Sequence, residues 1–497
     1  MSDTKPNILF IITDHQAFYG HHRPGEYEYA WPHFEKFASQ GTRFDRAYAV
    51  CPLCTPARAS MMTGVYPSAH GLRWNTGANW KGNRNEFRED QRLYCHYLAD
   101  AGYENGYVGK WHCGAEKLPA DYGAAGWALP DYGKPYMSDA YKRYASERGL
   151  GDATADIEYH AGRPEWEGTS QVLHDPSPWT FMDATGMLQG PPEAHEIDFT
   201  SHLCSEKLRE LAGNGEPWSL VASFWGPHQP FYPTEPFASM VDPSSIPEYP
   251  SFRDNLEGRP LRYFLHRKYH HAGSRRWRDW SDWQRMLAKV YGQGYQLDTA
   301  IGRLLEALDA TGQAENTMVI WCADHGDAAA SHGGLWDKAS TYIEEVARIP
   351  MAVRWPATLP GGQRTDALVT NMDVTATMLE AAGAEIPEDM HSRSVLPLCR
   401  DAGADWPGHI IAEHNGHGED ILQRIVVTDR YKYVAALYDG DELYDLKEDP
   451  FEMTNLIDST DHEDVRKDLR TRIIEHIETS GDPIAGRLAY SLGQGFA

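Results

Sequence analysis

NILFIIT, residues 7–13, is an apolar run that ends abruptly in Asp14 and His15. Two later runs repeat this arrangement: WSLVASF (218–224) leads into a loop with Gly-Pro-His, and TMVIWCA (317–323) leads into Asp-His-Gly. Runs of this length, rich in Ile, Val and Phe, predict strands that are buried on both faces. Each predicted strand carries polar residues just beyond its carboxyl end, so these ends are candidate functional positions.

The order of these runs predicts the fold class. Amphipathic helical patterns at 199–211 and 295–308 lie between predicted strands, and PMAVRW (350–355) is a fourth apolar run. Strands that alternate with helices predict an α/β fold in which a large, mostly parallel sheet is sandwiched by helices. In such folds the ligand site lies beyond the carboxyl ends of the strands. We therefore expect the polar strand ends to meet in one site.

The chain divides into a large and a small predicted domain. Residues 1–375 are expected to form the α/β domain, and residues 376–497 a C-terminal α+β subdomain with a small antiparallel sheet. The signs of the subdomain are a hairpin pattern at 425–436 and a helical pattern at about 464–479. The strand ends of the larger domain therefore carry the candidate site.

Two insertions interrupt the larger domain. Residues 115–195 are rich in Gly, Pro, Asp and Tyr, and their weak periodicity predicts a long irregular excursion. Residues 250–285 contain a basic, aromatic stretch. This second insertion is interpreted as a solvated surface segment, with the wall of a ligand pocket as the alternative.

Composition excludes several classes of protein. The chain has 497 residues and a formal net charge of −26, which argues against a nucleic-acid-binding or anionic-membrane-binding protein. An anionic ligand would therefore need Lys, Arg and His gathered locally. Seven cysteines at irregular spacing imply no disulfide framework. The N-terminus leads straight into the first predicted strand without a signal-peptide pattern, so we expect a cytoplasmic protein.

Two motifs carry a resemblance to a known family. The pattern Cys-x-Pro-x-Arg occurs from Cys54 to Arg58, and GYENGYVGKWHCG (102–114) contains Gly-Lys-Trp-His with Lys110 and His112. Both resemble the signatures of the type I, formylglycine-dependent sulfatases of the alkaline phosphatase superfamily. The resemblance implies an arylsulfatase-like hydrolase of aryl, sugar or alkyl sulfate monoesters. It also implies that a formylglycine-generating enzyme oxidises the cysteine to formylglycine.

The resemblance assigns roles to single residues. One hydroxyl of the hydrated formylglycine would attack sulfur and expel the alcohol, and the other would then eliminate sulfate. Arg58 would hold the hydrate, Lys110 would bind a sulfate oxygen, and His112 would be the base of the elimination step. His228 would contact the sulfate and protonate the leaving group. Lys338 would be the second active-site lysine of the family.

A divalent metal site is also implied by the resemblance. Its expected ligands are Asp14 and His15 after the first strand, Asp324 and His325 after a later one, and an oxygen of the formylglycine made from Cys54. Carboxylate oxygens suit Ca²⁺, which is the expected metal. The family often has a second Asp where this chain has His15, so Mn²⁺, Mg²⁺ and Zn²⁺ stay open and His15 is either a ligand or a hydrogen-bond donor.

Alternatives remain within the same superfamily. Asn75 resembles an asparagine that phosphonate monoester and phosphodiester hydrolases place near the transferred group, and some of these enzymes also use formylglycine. Lys110 and His112 favour the sulfatase, because related phosphonate hydrolases tend to carry neutral residues there. A non-catalytic anion-binding protein is the third hypothesis. We expect no nucleic-acid or membrane partner, and a homo-oligomer stays open. His414 and His417 are candidates for the rim of the pocket.

Overall fold

The computed structural model describes residues 5–18, 31–77, 84–160, 173–175, 183–271, 279–338, 340–417, 421–483 and 485–494. The strands are β1 Asn7–Thr13, β2 Thr42–Phe44, β3 Ala47–Tyr48, β4 Glu104–Lys110, β5 Ala125–Leu129, β6 Ala155–His160, β7 Leu173–Asp175, β8 Ala184–Leu188, β9 Trp218–Ser223, β10 Thr317–Ala323, β11 Arg348–Ile349, β12 Met351–Arg354, β13 Gln363–Thr365, β14 Val369–Thr370, β15 His409–His414, β16 Leu422–Thr428, β17 Tyr431–Leu437 and β18 Glu442–Asp445. The helices are α1 Pro32–Ser39, α2 Cys54–Thr63, α3 Pro67–His70, α4 Tyr94–Asp100, α5 Asp139–Arg148, α6 Glu196–Gly213, α7 Leu261–His271, α8 Trp280–Ala310, α9 Ser331–Gly334, α10 Glu344–Ala347, α11 Val374–Ala382, α12 Leu396–Arg400, α13 Glu463–Ser480 and α14 Gly486–Gln494.

The largest sheet has eight strands in the order β13-β2-β12-β10-β1-β9-β4-β5. Strand β1 pairs in parallel with β10 on one side and β9 on the other, and β4 continues the parallel set. The predicted α/β fold with a mostly parallel sheet is therefore confirmed.

One predicted strand runs against the others. The fourth apolar run forms β12, which pairs antiparallel with β10. After β10 the chain stays at the carboxyl edge of the sheet through residues 324–350 instead of crossing back. Because it re-enters the sheet from that same edge, β12 must run in the opposite direction.

The two faces of β1 bury alternate residues in separate cores. Ile8, Phe10 and Ile12 face the core that contains residues of α2, α4 and α11. Leu9 and Ile11 face the core that contains residues of α1, α6 and α8. Each fully buried side chain of this kind stabilises the fold by about 1.5–3 kcal/mol, so burial on both faces fixes β1 at the centre of the sheet.

The helices that cover the second face match their sequence patterns. The patterns at 199–211 and 295–308 lie within α6 and α8. Helix α8 is longer than its pattern because it begins after Asp279, whose backbone N–H donates to Asp282 Oδ2 (3.2 Å) in a capping box. Such a box satisfies donors that a helix start would otherwise leave unpaired.

The first insertion is more regular than its sequence indicates. The described part of 115–195 contains α5 and the three-stranded antiparallel sheet β7-β6-β8. Tyr141 and Tyr144 of α5 pack with Phe199 and Trp225 in a separate core. Aromatic packing against the larger domain thus orders a segment whose hydrophobic periodicity is weak.

The second insertion is not a solvated surface segment throughout. Arg259 and Arg262 are buried, and both form ion pairs with Glu442 of β18. Residues 272–278 of the basic stretch lie outside the described residues. The surface interpretation is therefore wrong for the part around Arg259 and Arg262, because these cations neutralise carboxylates of another sheet.

A second sheet, β15-β16-β17-β18, is antiparallel throughout. The predicted hairpin is formed by β16 and β17, and the predicted terminal helix is α13. Helix α11, at the expected domain boundary, packs in the core of the large sheet. The boundary at 375/376 stays a prediction. Among the described helices, none is long and apolar enough to cross a membrane.

Candidate active site and metal-binding group

The carboxyl ends of neighbouring strands bring the site together. Thr13 of β1 is in register with Ala323 of β10, so Asp14 and Asp324 follow side by side. The backbone N–H groups of His15 and His325 both donate to Asp324 Oδ1, at 3.1 and 2.8 Å. The parallel pairing predicted from sequence therefore places the two aspartates next to each other.

Cys54 is the first residue of α2 and is only 1% exposed. Its Sγ lies 3.1 Å from His325 Nε2. The next residue, Thr55, donates its backbone N–H to Asn75 Oδ1 (3.1 Å) and its hydroxyl to His112 O (2.7 Å). These bonds fix the start of α2 against the end of β4. The helix dipole also gives this position a partial positive charge, which favours anions.

Four of the five expected metal ligands converge. Potential ligand atoms of Asp14, Cys54, Asp324 and His325 all lie within 4.8 Å of one another, and all four residues are buried. Asp14 Oδ1 has no hydrogen-bond partner among the described residues. His325 Nδ1 lies 2.9 Å from Gly326 O, which leaves Nε2 facing the group. Two carboxylates, one of which has a buried oxygen without a partner, and an imidazole fit a divalent cation.

His15 is not brought into this group. Its Nε2 lies 3.0 Å from Asp337 Oδ1, and its ring centroid lies 4.3 Å from that of His228. His15, His228 and Asp337 instead form a second buried group. Burial, together with the positive charge of Lys338, lowers the pKa of His15 to about 3, so its imidazole is neutral.

Fixed cations surround the aspartates. Arg58 Nε donates to Asp324 Oδ2 (2.7 Å), and Lys110 forms an ion pair with Asp14. Burial opposes the charge of Arg58, but Asp324 and Asp14 outweigh it and raise the pKa of the guanidinium. His325 also lies beside Asp324. Burial opposes a charge on its imidazole, but Asp324 and Cys54 outweigh burial and raise the pKa of His325 to about 9. The two aspartates therefore have positively charged side chains directly beside them.

The two histidines expected to handle protons are buried. Burial and then the nearby Lys110 and Arg58 hold the pKa of His112 well below its ordinary value. Burial, His15 and Lys338 do the same for His228. Both imidazoles are therefore neutral near pH 7 and can accept a proton.

Lys338 lies between the two halves of the site. Its Nζ is 2.8 Å from Asp337 Oδ1 and 3.4 Å from His228 Nε2. Burial opposes its charge, but Asp337 outweighs burial and raises the pKa of Lys338. His417 reaches the same carboxylate, with Nδ1 3.9 Å from Asp337 Oδ2 and a side chain 33% exposed. His414, by contrast, is buried, and its Nδ1 lies 3.9 Å from Cys51 Sγ.

Sequence reasoning missed two residues of this site. Asp337 directly precedes Lys338, and that adjacency is the signal that could have identified it. The ring of Tyr132 lies 4.0 Å from Lys110 Nζ and edge-on to His112, at 5.2 Å between ring centroids. Tyr132 belongs to the first insertion, where no motif or periodicity marks it.

Comparisons with known proteins identify the family of the chain. Residues 6–384 match the family model described as Sulfatase, and residues 331–479 match the one described as N-sulphoglucosamine sulphohydrolase, C-terminal. The chain is 30% identical to the uncharacterized sulfatase YidJ of Escherichia coli K12, over 96% of this chain and 88% of that protein. It is 26% identical to a choline-sulfatase of Rhizobium meliloti, over 92% and 84% of the two chains.

Solved structures share the fold at lower identity. A phosphonate monoester hydrolase from Silicibacter pomeroyi superposes with a TM-score of 0.77 at 21% identity, covering 97% of each chain. A protein solved with its substrate D-glucosamine-2-N,6-O-disulfate gives a TM-score of 0.71 at 20% identity, over 96% of this chain and 99% of that one. These likenesses concern the fold, whereas the family match covers most of the sequence. The chain belongs to the sulfatase family, the sulfuric ester hydrolases within the alkaline phosphatase superfamily.

Proposed function

We propose that this chain hydrolyses sulfate monoesters with a formylglycine made from Cys54 and one divalent metal ion. The observation that carries the proposal is the position of Cys54. It begins α2 and lies in one buried group with Asp14, Asp324 and His325. A formylglycine-generating enzyme is required, because the aldehyde supplies the nucleophilic hydroxyl that a thiol lacks.

The metal would be held by Asp14, Asp324 and His325 together with residue 54. Bound there, it supplies Lewis-acid charge next to the nucleophile. Ca²⁺ is the proposed ion because the carboxylates provide hard oxygen ligands, and the imidazole keeps Mn²⁺, Mg²⁺ and Zn²⁺ as alternatives. His15 is proposed to act outside this group, since its ring faces Asp337 and His228.

The side chains around residue 54 divide the remaining work. Arg58 and Lys110 offset negative charge at the aspartates and the sulfate oxygens. His112, which is neutral, accepts the proton that must leave during sulfate elimination. Lys338 keeps its proton because of Asp337 and touches His228, so this pair binds a sulfate oxygen and delivers a proton to the departing alcohol.

A phosphonate monoester or phosphodiester hydrolase is the second candidate. Asn75 contacts the backbone next to Cys54, where an amide can bind a transferred phosphoryl group. The fold neighbours include phosphonate monoester hydrolases. Lys110 and His112 favour sulfate, because they add a cation and a base at this position.

Paired steady-state kinetics on a nitrophenyl sulfate and a phenyl nitrophenyl phosphonate test the proposal. The protein would be produced together with the formylglycine-generating enzyme, and conversion of Cys54 would be measured by mass spectrometry. We expect kcat/KM to favour the sulfate by several decades. A preference for the phosphonate would support the second candidate. Converted protein that is inactive on both would support the anion-binding hypothesis.

Replacement of the nucleophile has a matched control in the same segment. Cys54→Ala should abolish turnover and leave the fold intact, because the change removes one buried sulfur atom. Cys51→Ala removes an equally buried thiol three residues away and should keep activity. Circular dichroism would verify both folds. Near-full activity of Cys54→Ala would contradict the mechanism.

A further inference from the structure

Tyr132 lies where the proposed sulfate-binding groups meet. Its ring is 4.0 Å from Lys110 Nζ, and its centroid is 5.2 Å from that of His112 and 5.4 Å from that of His228. Lys110 is the last residue of β4 and His112 follows it, whereas His228 follows β9. One aromatic side chain therefore contacts the functional groups of two strand ends.

The backbone around Tyr132 is held from several directions. Asp131, which precedes it, has a positive φ of 54° and donates its N–H to Gly114 O (2.9 Å). Its carboxylate accepts a hydrogen bond from the Thr76 hydroxyl. Trp225 Nε1 donates to Tyr132 O (2.8 Å). Asp131 is in the left-handed conformation, and hydrogen bonds hold it and the Tyr132 carbonyl. This turn therefore sets the direction of the Tyr132 side chain.

The next residue extends this constraint. Gly133 has a φ of 76°, and a Cβ there would lie 2.9 Å from Leu129 Cβ and 3.0 Å from Trp225 Cζ2. A side chain at this position would therefore push the turn away from Trp225. The close packing at Gly133 therefore restricts the turn that carries Tyr132.

The ring is placed on the leaving-group side of the site. His228 and Lys338 form the pair that the proposed function uses to protonate the departing alcohol. Tyr132 meets His228 edge to face. Tyr132 as a residue is half-buried, and its hydroxyl oxygen is buried in the site. If the departing ester oxygen lies at His228, as in the proposed function, the alcohol is next to the Tyr132 ring, 5.4 Å from His228 between centroids.

We propose that Tyr132 is a specificity-determining residue that favours sulfate esters of aryl alcohols by stacking on their ring. The inference rests on the proposed function and names its substrate class. An aryl leaving group gains an aromatic contact with the Tyr132 ring, whereas an acyclic alkyl group gains only the burial of apolar surface. The cation–π contact with Lys110 keeps the ring in place when substrate leaves.

The ratio of kcat/KM for nitrophenyl sulfate to kcat/KM for hexyl sulfate tests this inference. Tyr132→Phe keeps the ring and should leave the ratio within about 2-fold. Tyr132→Leu removes the ring and should lower the ratio about 3- to 10-fold, mainly through KM for the aryl ester. Tyr132→Met replaces the Leu variant if that variant does not fold, because the flexible Met side chain fits irregular gaps. We expect it to lower the ratio by the same factor.

A second tyrosine of the first insertion provides the control. Tyr159→Leu changes a tyrosine of the same insertion that lies near Arg285, and it should leave the ratio unchanged. An equal loss on both esters would overturn the inference, because it would mean that the ring only supports Lys110. An unchanged ratio in Tyr132→Leu would overturn it as well. Wild-type protein that hydrolyses neither sulfate would instead contradict the proposed function.

Discussion

At the scale of single residues, the three carboxylates of the site divide into two sets by their partners. Asp14 and Asp324 face Cys54 and His325, whereas Asp337 faces His15 and Lys338. The first pair fits a metal ion, and the third carboxylate holds an ammonium group. Substitutions at these positions should therefore have separable effects.

Asp324→Asn should remove metal and activity together. The substitution keeps the shape of the side chain but neutralises a ligand and the partner of Arg58 (2.7 Å). Loss of electrostatic stabilisation at the nucleophile should cost about 100-fold or more in kcat/KM. Metal content would be measured by inductively coupled plasma mass spectrometry. Asp327→Asn, at a buried aspartate outside the four-residue group, is the control and should keep the metal.

Asp337→Asn should lower activity and leave metal content unchanged. Asp337 raises the pKa of Lys338, so its charge keeps the ammonium protonated to higher pH. Without that charge the pKa falls, and the alkaline limb of the pH–rate profile should move to lower pH. The kcat/KM near pH 7 should fall about 10- to 100-fold, as for loss of one well-placed acid. Loss of metal would show that Asp337 acts as a ligand.

At the scale of elements, the site depends on how closely β4 approaches β9. Gly109 has a φ of 111°, and a Cβ there would lie 1.7 Å from Ser223 O. Lys110 follows immediately, and its carbonyl accepts hydrogen bonds from Ser223 Oγ (2.7 Å) and Arg58 Nη1 (3.1 Å). A glycine in β4 thus lets the strand ends close around the cations.

Gly109→Ala should therefore damage both stability and activity. The methyl group requires β4 and β9 to separate, which we expect to lower the melting temperature by several degrees and to displace Lys110. Gly213→Ala is the matched control. It lies at the end of α6, where a Cβ meets nothing within 4 Å, and it should leave both quantities nearly unchanged. Wild-type activity in Gly109→Ala would contradict this account of the strand contact.

At the scale of the whole molecule, buried charges join the C-terminal sheet to the large domain. Glu413 of β15 accepts hydrogen bonds from the backbone N–H and the hydroxyl of Ser68, both at 2.8 Å. Arg424 and His476 lie beside the same carboxylate, at 3.8 and 3.0 Å. Burial opposes the charge of Glu413, but Arg424 and His476 outweigh it and lower its pKa to about 2. The ionised carboxylate therefore stabilises the contact between β15 and helix α3 of the large domain.

Glu413→Gln should destabilise the protein in a pH-dependent manner. The pKa falls from an ordinary 4.5 to about 2 on folding, so the ionised group stabilises the fold above pH 4.5 and loses this effect as pH falls toward 2. At pH 7 the substitution should lower the free energy of unfolding by about 3 kcal/mol.

Urea unfolding at pH 7 and pH 3.5 measures this effect. The difference in the free energy of unfolding between wild type and Glu413→Gln should be smaller at the lower pH. Glu478→Gln, an exposed acid on α13, is the control and should show little difference at either pH. A gap between wild type and Glu413→Gln that is equal at both pH values would show that the carboxylate charge is not the cause.

Much of the fold was predictable because its signals are local. The apolar runs at 7–13, 218–224 and 317–323 became buried strands, since such a run can be satisfied only between two covering layers. The hairpin and the terminal helix followed from the same kind of short-range pattern. The motif around Cys54 was likewise recognisable from the sequence, because its residues are adjacent in the chain.

Tertiary structure decided where side chains beyond the strand ends point. His15 turns toward Asp337, and Tyr132 reaches Lys110 from a distant insertion, because partners remote in sequence pack against them. The same cause buries Arg259 beside Glu442. Sequence by itself thus determined the strands, the family motifs and the kinds of ligand atoms available. The folded chain alone decided which charges pair, because those pairings depend on contacts between residues far apart in the chain.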